Sequence, residues 1–300
     1  DASPLASVEI DLSVFVSDVD FSTGHDLLSD ISYSIMQAPA RGTFVANATA
    51  SLAGDWFIGG SNLQDNRTWS GTVTFDAAGN VTAGSVTSSA GLTHTIVSGS
   101  FTVSALGEVT GTFTDNRAPA VTTTFTMQMD SGQGTMAGEG NANPAESEDG
   151  AFVFIKKSAQ FALDPDLAGT WFIGGSDLQD DHTWDGELTI DTTGNVTGGT
   201  YNSSEGDAPA ITGGSFTIAA DGSVTGQFID NDGGDPVTTN LILQMDYRKG
   251  IMAGPGKAAA STEEGMFVFV KKVAPNFVTA DLEGTWFLGG SDLQEEDTWD

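Results

Sequence analysis

Carboxylates dominate the chemistry this chain has to offer: 41 Asp and Glu stand against 10 Lys and Arg and three His in 300 residues, without a cysteine. The densest group is Asp177, Asp180, Asp181 and Asp185, at one expected turn between two strands. A second group lies in Asp230-Asn-Asp232-Gly-Gly-Asp235. Ca²⁺ takes six to eight oxygen ligands, so a carboxylate-rich turn suits it, and Ca²⁺ is the one ion these groups point to. A solvated turn has the same composition. Elsewhere in the chain Asn62, Asp65, Asn66 and Ser70 occupy the positions of the first group, and Arg117 stands where Asp232 does. That loss of charge favours the solvated turn, and no other cofactor is expected.

Catalysis finds little support. His25, His94 and His182 have no counterparts in the neighbouring copies of the repeat described below. No nucleophile–base–orienter set, HExxH helix or Gly-rich phosphate loop is present, so the chain is expected not to be an enzyme. Trp56, Trp69, Trp171 and Trp184 have two readings. They line a pocket for an apolar ligand, or they fill a small β interior where large aromatics dominate the core energy. Packing is the adopted reading, because a pocket needs convergent polar groups and none recurs clearly in both copies.

The formal charge of −31 repels phosphate and anionic lipid, which excludes nucleic acid and polybasic membrane-surface binding. The absence of cysteine excludes a disulfide framework and thiolate metal sites. Uninterrupted apolar runs such as Ala151–Ile155 are far shorter than the roughly 20 residues that a spanning helix needs, so no transmembrane segment is expected. No signal peptide opens the sequence, so the export signal of a secreted protein is expected to precede Asp1.

What positions these residues is a repeat. All six tryptophans fall at two positions of a 115-residue period: Trp56, Trp171 and Trp286, then Trp69, Trp184 and Trp299. The 19-residue stretches from Leu167 and Leu282 agree at 14 positions, which makes internal duplication the only sensible origin. D-x-x-G-N-V-T (Asp76, Asp191), Q-M-D (Gln128, Gln244) and F-V-F-[IV]-K-K (Phe152, Phe267) recur as well. Residues 52–166 and 167–281 are therefore read as complete repeats, and 282–300 as the start of a third. Residues 1–51 are read as a partial β module or a degenerate repeat tail. Ile31–Met36 sits where F-V-F-I-K-K does. Asp18-Val-Asp20, Tyr33-Ser-Ile35 and Ala38-Pro-Ala-Arg-Gly-Thr43 resemble the cadherin-like Ig modules of large bacterial surface proteins.

Period-2 alternation pervades each repeat and no helical period is convincing. Trp184, Gly186, Leu188 and Ile190 alternate with Thr183, Asp185, Glu187 and Thr189. In the second repeat, strands are predicted near 170–175, 183–191, 195–203, 210–219, 223–230, 237–246, 250–254 and 266–272. Eight consecutive antiparallel strands joined by short turns predict an all-β fold of tandem up-and-down barrels. A two-sheet β-sandwich satisfies the same strand list. Gly54-Asp-Trp56, Gly169-Thr-Trp171 and Gly284-Thr-Trp286 resemble the G-x-W that opens the first strand of lipocalins and the G-T-W of avidin-type barrels. In lipocalins that Trp closes the barrel floor beneath a basic residue from the end of the last strand. The resemblance thus implies this part for Lys156-Lys157 and Lys271-Lys272, with Lys replacing the usual Arg. The helical turn that precedes the lipocalin strand is not evident here.

Alternation also sends Phe57, Phe172 and Phe287 outward from the first strand, while the last strand is apolar on both faces. First and last strands are neighbours in a closed barrel, so their outer faces form an apolar stripe, and such a stripe on an acidic surface marks a contact. The candidate assembly residues are Phe57, Phe172 and Phe287 with Phe152, Phe154, Phe267 and Phe269 from the last strands. Self-association, or docking of neighbouring repeats, is the expected partnership. The resulting reading is a secreted or surface-displayed bacterial tandem-repeat protein, non-enzymatic, serving as a filament, sheath or adhesin stalk. The alternative is a multivalent module binding a small molecule or glycan.

Overall fold

A computed structural model describes residues 51–143, 148–179, 182–204, 206–231, 235–260, 263–272, 290–292 and 297–299. The first barrel comprises β1 (Gly54–Asn62), β2 (Arg67–Phe75), β3 (Val81–Ser88), β4 (Thr93–Val103), β5 (Glu108–Asp115), β6 (Thr122–Met129), β7 (Thr135–Asn143) and β8 (Glu148–Lys156). After the short helix α1 (Leu163–Leu167), the second comprises β9 (Gly169–Asp177), β10 (His182–Ile190), β11 (Val196–Ser203), β12 (Ala210–Ile218), β13 (Ser223–Asp230), β14 (Val237–Met245), β15 (Ile251–Ala258) and β16 (Glu264–Lys271). Each sheet is an antiparallel meander that closes when its last strand pairs with its first, as in Ile58 opposite Phe154 and Ile173 opposite Phe269. Closure excludes the sandwich. A two-stranded hairpin, β17 (Gly290–Asp292) with β18 (Asp297–Trp299), opens the third copy. The module expected over 1–51 lies, apart from Ser51, outside the described residues.

Interiors are packed with rings. In barrel 1 Phe101 lies 4.9 Å from Phe75 and 5.6 Å from Phe125, whose ring in turn is 4.8 Å from Phe113. Barrel 2 repeats the plan around Phe216 and Phe269, 6.0 Å apart. Small residues on the strands make room and let the sheet bend. A side chain at Gly71 or Gly186 would collide with the carbonyl of Ser85 or Thr200 on the next strand. Register shifts at Thr74/Phe75 and Ile96/Ser98 recur in the second copy at Thr189/Ile190 and Ile211/Gly213. Bulges and close glycine contacts are what an eight-stranded sheet needs to curl shut.

One end of each barrel, the floor, is closed by the repeated motifs. Gln128 and Gln244 of Q-M-D donate to the carbonyls of Leu106 and Asp221 at 2.9 and 2.8 Å, stapling the neighbouring turn. The following Met129 and Met245 are buried, and Asp130 and Asp246 accept backbone N–H groups from the next turn. The D-x-x-G-N-V-T motif builds another floor turn. Asp76 Oδ1 accepts from the N–H groups of Ala78 and Asn80 at 2.8 and 2.9 Å, and Asp191 does the same for Thr193 and Asn195.

Two elements depart from the sequence expectation. The helix α1 covers the floor of barrel 2, with Leu167 fully buried, and five residues are too few to show a 3.6-residue period. Strand β15 continues past the expected end near residue 254 because Pro255, which lacks an N–H, falls where the ladder to β14 jumps from Leu241–Gly256 to Gln244–Ala253.

The Thr193 hydroxyl and the Asn195 N–H hold the Asp191 carboxyl at about 2, below its ordinary 3.8. A carboxyl depressed in the folded state contributes stability that is present above about pH 4 and lost as the pH falls toward about 2. Asp191→Asn is expected to flatten the loss of stability in that window, read by urea unfolding at each pH. Parallel pH profiles for parent and variant would reject the capping role.

Candidate functional site

Three regions carry the candidate residues: the floor, the mouth at the other end, and the outer face of the first and last strands. At the floor Trp56 and Trp171 are fully buried, and their indole N–H groups donate to Leu52 and Leu167 carbonyls at 2.6 and 2.8 Å. Lys156 Nζ lies 5.5 Å from the centre of the Trp56 ring and donates to the Ser51 carbonyl at 2.7 Å. Lys271 Nζ lies 5.4 Å from the Trp171 ring and donates to the Asp166 carbonyl at 2.9 Å. This is the Trp-under-cation floor implied by the resemblance, and burial pushes both lysines below their ordinary value. The indoles are sealed from solvent and the half-buried lysines cap them.

The mouths differ between the copies. In barrel 1 the Arg117 guanidinium, from the β5–β6 loop, folds over the opening. Its Nε donates to both Asp115 oxygens at 3.0 and 3.2 Å, its NH2 lies 3.0 Å from Oδ2, and its Cζ stands 5.7 Å from the centre of the Trp69 ring. Asp115 is 1% exposed, so this is a buried charge with its counterion bound. What remains is a cavity of about 30 Å³ beside the buried Asn62, whose Nδ2 has no partner; that volume admits about one water.

Barrel 2 has Trp184 and Asp230 at the equivalent positions of the repeat, but its indole lies against Gly175, where barrel 1 sets Phe152 against Gly60, and its mouth cavity is about 160 Å³. The Trp184 ring packs 4.3 Å from Phe267 and 5.8 Å from Tyr201, against Gly175, where a Cβ would come within 2.6 Å of it. Five carboxylates line the cavity: Asp177, Asp207, Asp230, Glu263 and Glu264. His182 also faces it, whereas the His94 ring lies tilted against Trp69, 5.8 Å between centres, in the other barrel. His25 lies outside the described residues.

The expected calcium residues are scattered across this geometry. Asp177 and Asp230 line the mouth, Asp185 and Asp235 are exposed, and Asp180, Asp181 and Asp232 lie outside the described residues. Asp177 Oδ1 accepts the Gln179 N–H at 2.8 Å, as a turn carboxylate does. Among the described residues no three His, Asp or Glu side chains are gathered as metal ligands.

On the outer face the two barrels meet side by side with their mouths at the same end. Phe57, Val153 and Ile155 are 6%, 9% and 0% exposed. Val153 and Ile155 cluster with Ala253 and Met266 of barrel 2, and Phe57 lies over Gly254. At the mouth end Thr68 donates to Glu264 at 3.2 Å and Gln179 donates to the Asn66 carbonyl at 2.6 Å. At the floor end Lys157 pairs with Asp221 at 2.8 Å. The same face of barrel 2 is open: Phe172, Val268 and Val270 are 42%, 44% and 42% exposed. Phe152, Phe154, Phe267 and Phe269 do not belong to this surface. Alternation turns their rings into the cores and gives the outer face to the intervening Val and Ile. Phe287 lies outside the described residues.

No protein-family model matches the chain, and no curated protein sequence matches it. Among solved structures, a de novo designed fluorescence-activating β-barrel matches at 14% identity over 38% of this chain and 100% of its own, with a TM-score of 0.31. A redesigned β-barrel bound to DFHBI matches at 17% identity over 35% and 99%, TM-score 0.31. Kievitone hydratase from Nectria haematococca matches at 11% identity over 76% and 93%, TM-score 0.28. At such values neither ligand nor activity transfers to this chain.

Removing the Arg117 guanidinium strands a buried carboxylate, a change that typically costs about 3–5 kcal/mol. Arg117→Met is expected to destabilise barrel 1 by about 3 kcal/mol at neutral pH, measured by urea unfolding. A loss near zero would show that the plug carries no structural weight.

Proposed function

We propose that this chain is a non-catalytic structural element of an extracellular or cell-surface array, in which β-barrel repeats dock side by side through the outer faces of their first and last strands. The observation that carries the reading is the contrast between equivalent faces. On barrel 1 Phe57, Val153 and Ile155 are buried under barrel 2, while Phe172, Val268 and Val270 present the same stripe uncovered. An exposed apolar stripe on a strongly acidic protein is costly to keep in water unless a partner covers it. The occupant proposed for it is the β7–β8 face of barrel 1 in a second copy, where Ala137, Gly138 and Ala151 stand at the repeat positions of Ala253, Gly254 and Met266, the face that receives the stripe once within this chain. The strongly acidic charge keeps such a repeat soluble without any disulfide. Among the described residues no helix is long and apolar enough to cross a membrane.

A ligand-binding reading has its own support in the polar mouth of barrel 2. Arg117 fills the equivalent mouth of barrel 1, so this support concerns one site and not a multivalent pair.

Sedimentation velocity is expected to show concentration-dependent association of the chain, with elongated assemblies in negative stain. Phe172→Ser is expected to abolish association while both barrels melt as before. A parent that stays monomeric at every concentration, or a variant that associates as the parent does, would overturn the docking proposal.

Within the chain, Phe57→Asp places a carboxylate in the seam between the barrels. It is expected to loosen the barrels from one another without unfolding either, seen as raised amide hydrogen exchange confined to β8 and β15. Unchanged exchange there would show that the seam does not depend on this ring.

A further inference from the structure

We infer that the mouth of barrel 2 is a binding site for a guanidinium cation, the group that barrel 1 supplies to its own mouth as Arg117. This inference stands apart from side-by-side docking, since it uses the barrel end and not its outer face. The argument rests on what the two mouths share and on what changes between them. Shared are an indole at the rim (Trp69, Trp184), a buried aspartate at the end of the fifth strand (Asp115, Asp230) and a phenylalanine beneath (Phe113, Phe228), each lining its cavity. In barrel 1 those groups hold a guanidinium by two recognised means: a fork of N–H donors on a carboxylate, and a cation over an aromatic face. Asp115 does this while also accepting the Arg117 backbone N–H at 2.9 Å, so its buried partner in barrel 2, Asp230, need not be bare to do the same.

The changes all favour a cation from outside. The sequence has Asp232 in place of Arg117, a residue that lies outside the described structure, and among the described residues that line the barrel 2 cavity there is no Lys or Arg. The cavity grows from about 30 to about 160 Å³. Asn62 gives way to Asp177, which adds a carboxylate to the rim. Five carboxylates line the opening, and although Lys257 lies 3.9 Å from Glu264 their sum is a negative potential focused into it. A compact ammonium ion would feel that potential too. A planar guanidinium adds to it the two means by which barrel 1 holds Arg117, a fork of donors on a carboxylate and a flat cation against an aromatic ring. The source is either an arginine side chain on another polypeptide or a free guanidino compound.

Isothermal titration of the full chain at low salt tests this with agmatine, acetyl-Gly-Arg-Gly-amide and butylamine as probes. The two guanidinium probes are expected to bind one saturable site per chain, with butylamine at least tenfold weaker. A tighter tripeptide assigns the site to a protein-borne arginine, a tighter agmatine to a small free ligand, and both results support the proposal. Asp230→Asn is expected to weaken binding at least tenfold, and Arg117→Gly to raise the stoichiometry to two. Indole N–H resonances of the unsubstituted chain make the test independent of any variant's folding: the Trp184 signal is expected to shift on saturation. Absence of saturable binding, equal binding of butylamine, or a shift confined to other indoles would overturn the proposal.

Discussion

Each barrel exists because its first strand pairs with its last. That pairing removes both sheet edges at once and forces the interior to be filled by whatever side chains alternate inward. The two copies reach it with the same parts: a buried tryptophan at the start of the first strand, a lysine from the end of the last strand above its ring, and a backbone carbonyl that takes the lysine's charge-assisted hydrogen bond. Burial disfavours the charged lysines, yet each sits between an aromatic face and a carbonyl oxygen, which offsets that cost.

Closure also decides what the last strand does. Its F-V-F-[IV] run is apolar at every position, and a closed sheet divides such a run between two environments. The phenylalanines enter the aromatic core; the valines and isoleucine are left outside beside Phe57 or Phe172. One repeat therefore manufactures both a core and a docking stripe from the same few residues. Glycine at position 254 lets the Phe57 ring approach the neighbouring backbone, which brings the two sheets into contact.

The floors and mouths have different freedoms. Floor turns are tied down by Asp and Gln side chains that accept or donate to specific backbone groups, so the motifs that build them recur almost unchanged. Mouth loops bear on little of the core, and there the copies diverge: a guanidinium plug in one, an open carboxylate-lined cavity in the other. Loops on a rigid barrel can change without threatening closure, which is why specialisation appears at this end.

The floor residues were suggested by the likeness to lipocalins, whereas the repeat, the all-β class and the number of strands per repeat can be read from the amino-acid order directly. Those follow from near-identical copies and from period-2 alternation, both properties of local order along the chain. It also pointed to an apolar stripe, but it assigned the last-strand phenylalanines to that stripe, since a run apolar on both faces carries no parity signal. Which face is which emerges only on folding, because parity is set when β8 closes against β1, at the far end of the repeat. The helical turn α1 escaped notice for being shorter than two turns. Arg117 could be seen as an interruption of a carboxylate pattern, but its work as a plug depends on Trp69 of β2 meeting it across the barrel end while Asp115, two residues earlier, holds the guanidinium. Spacing records which residues lie on a strand; closure of the sheet settles which of them face each other.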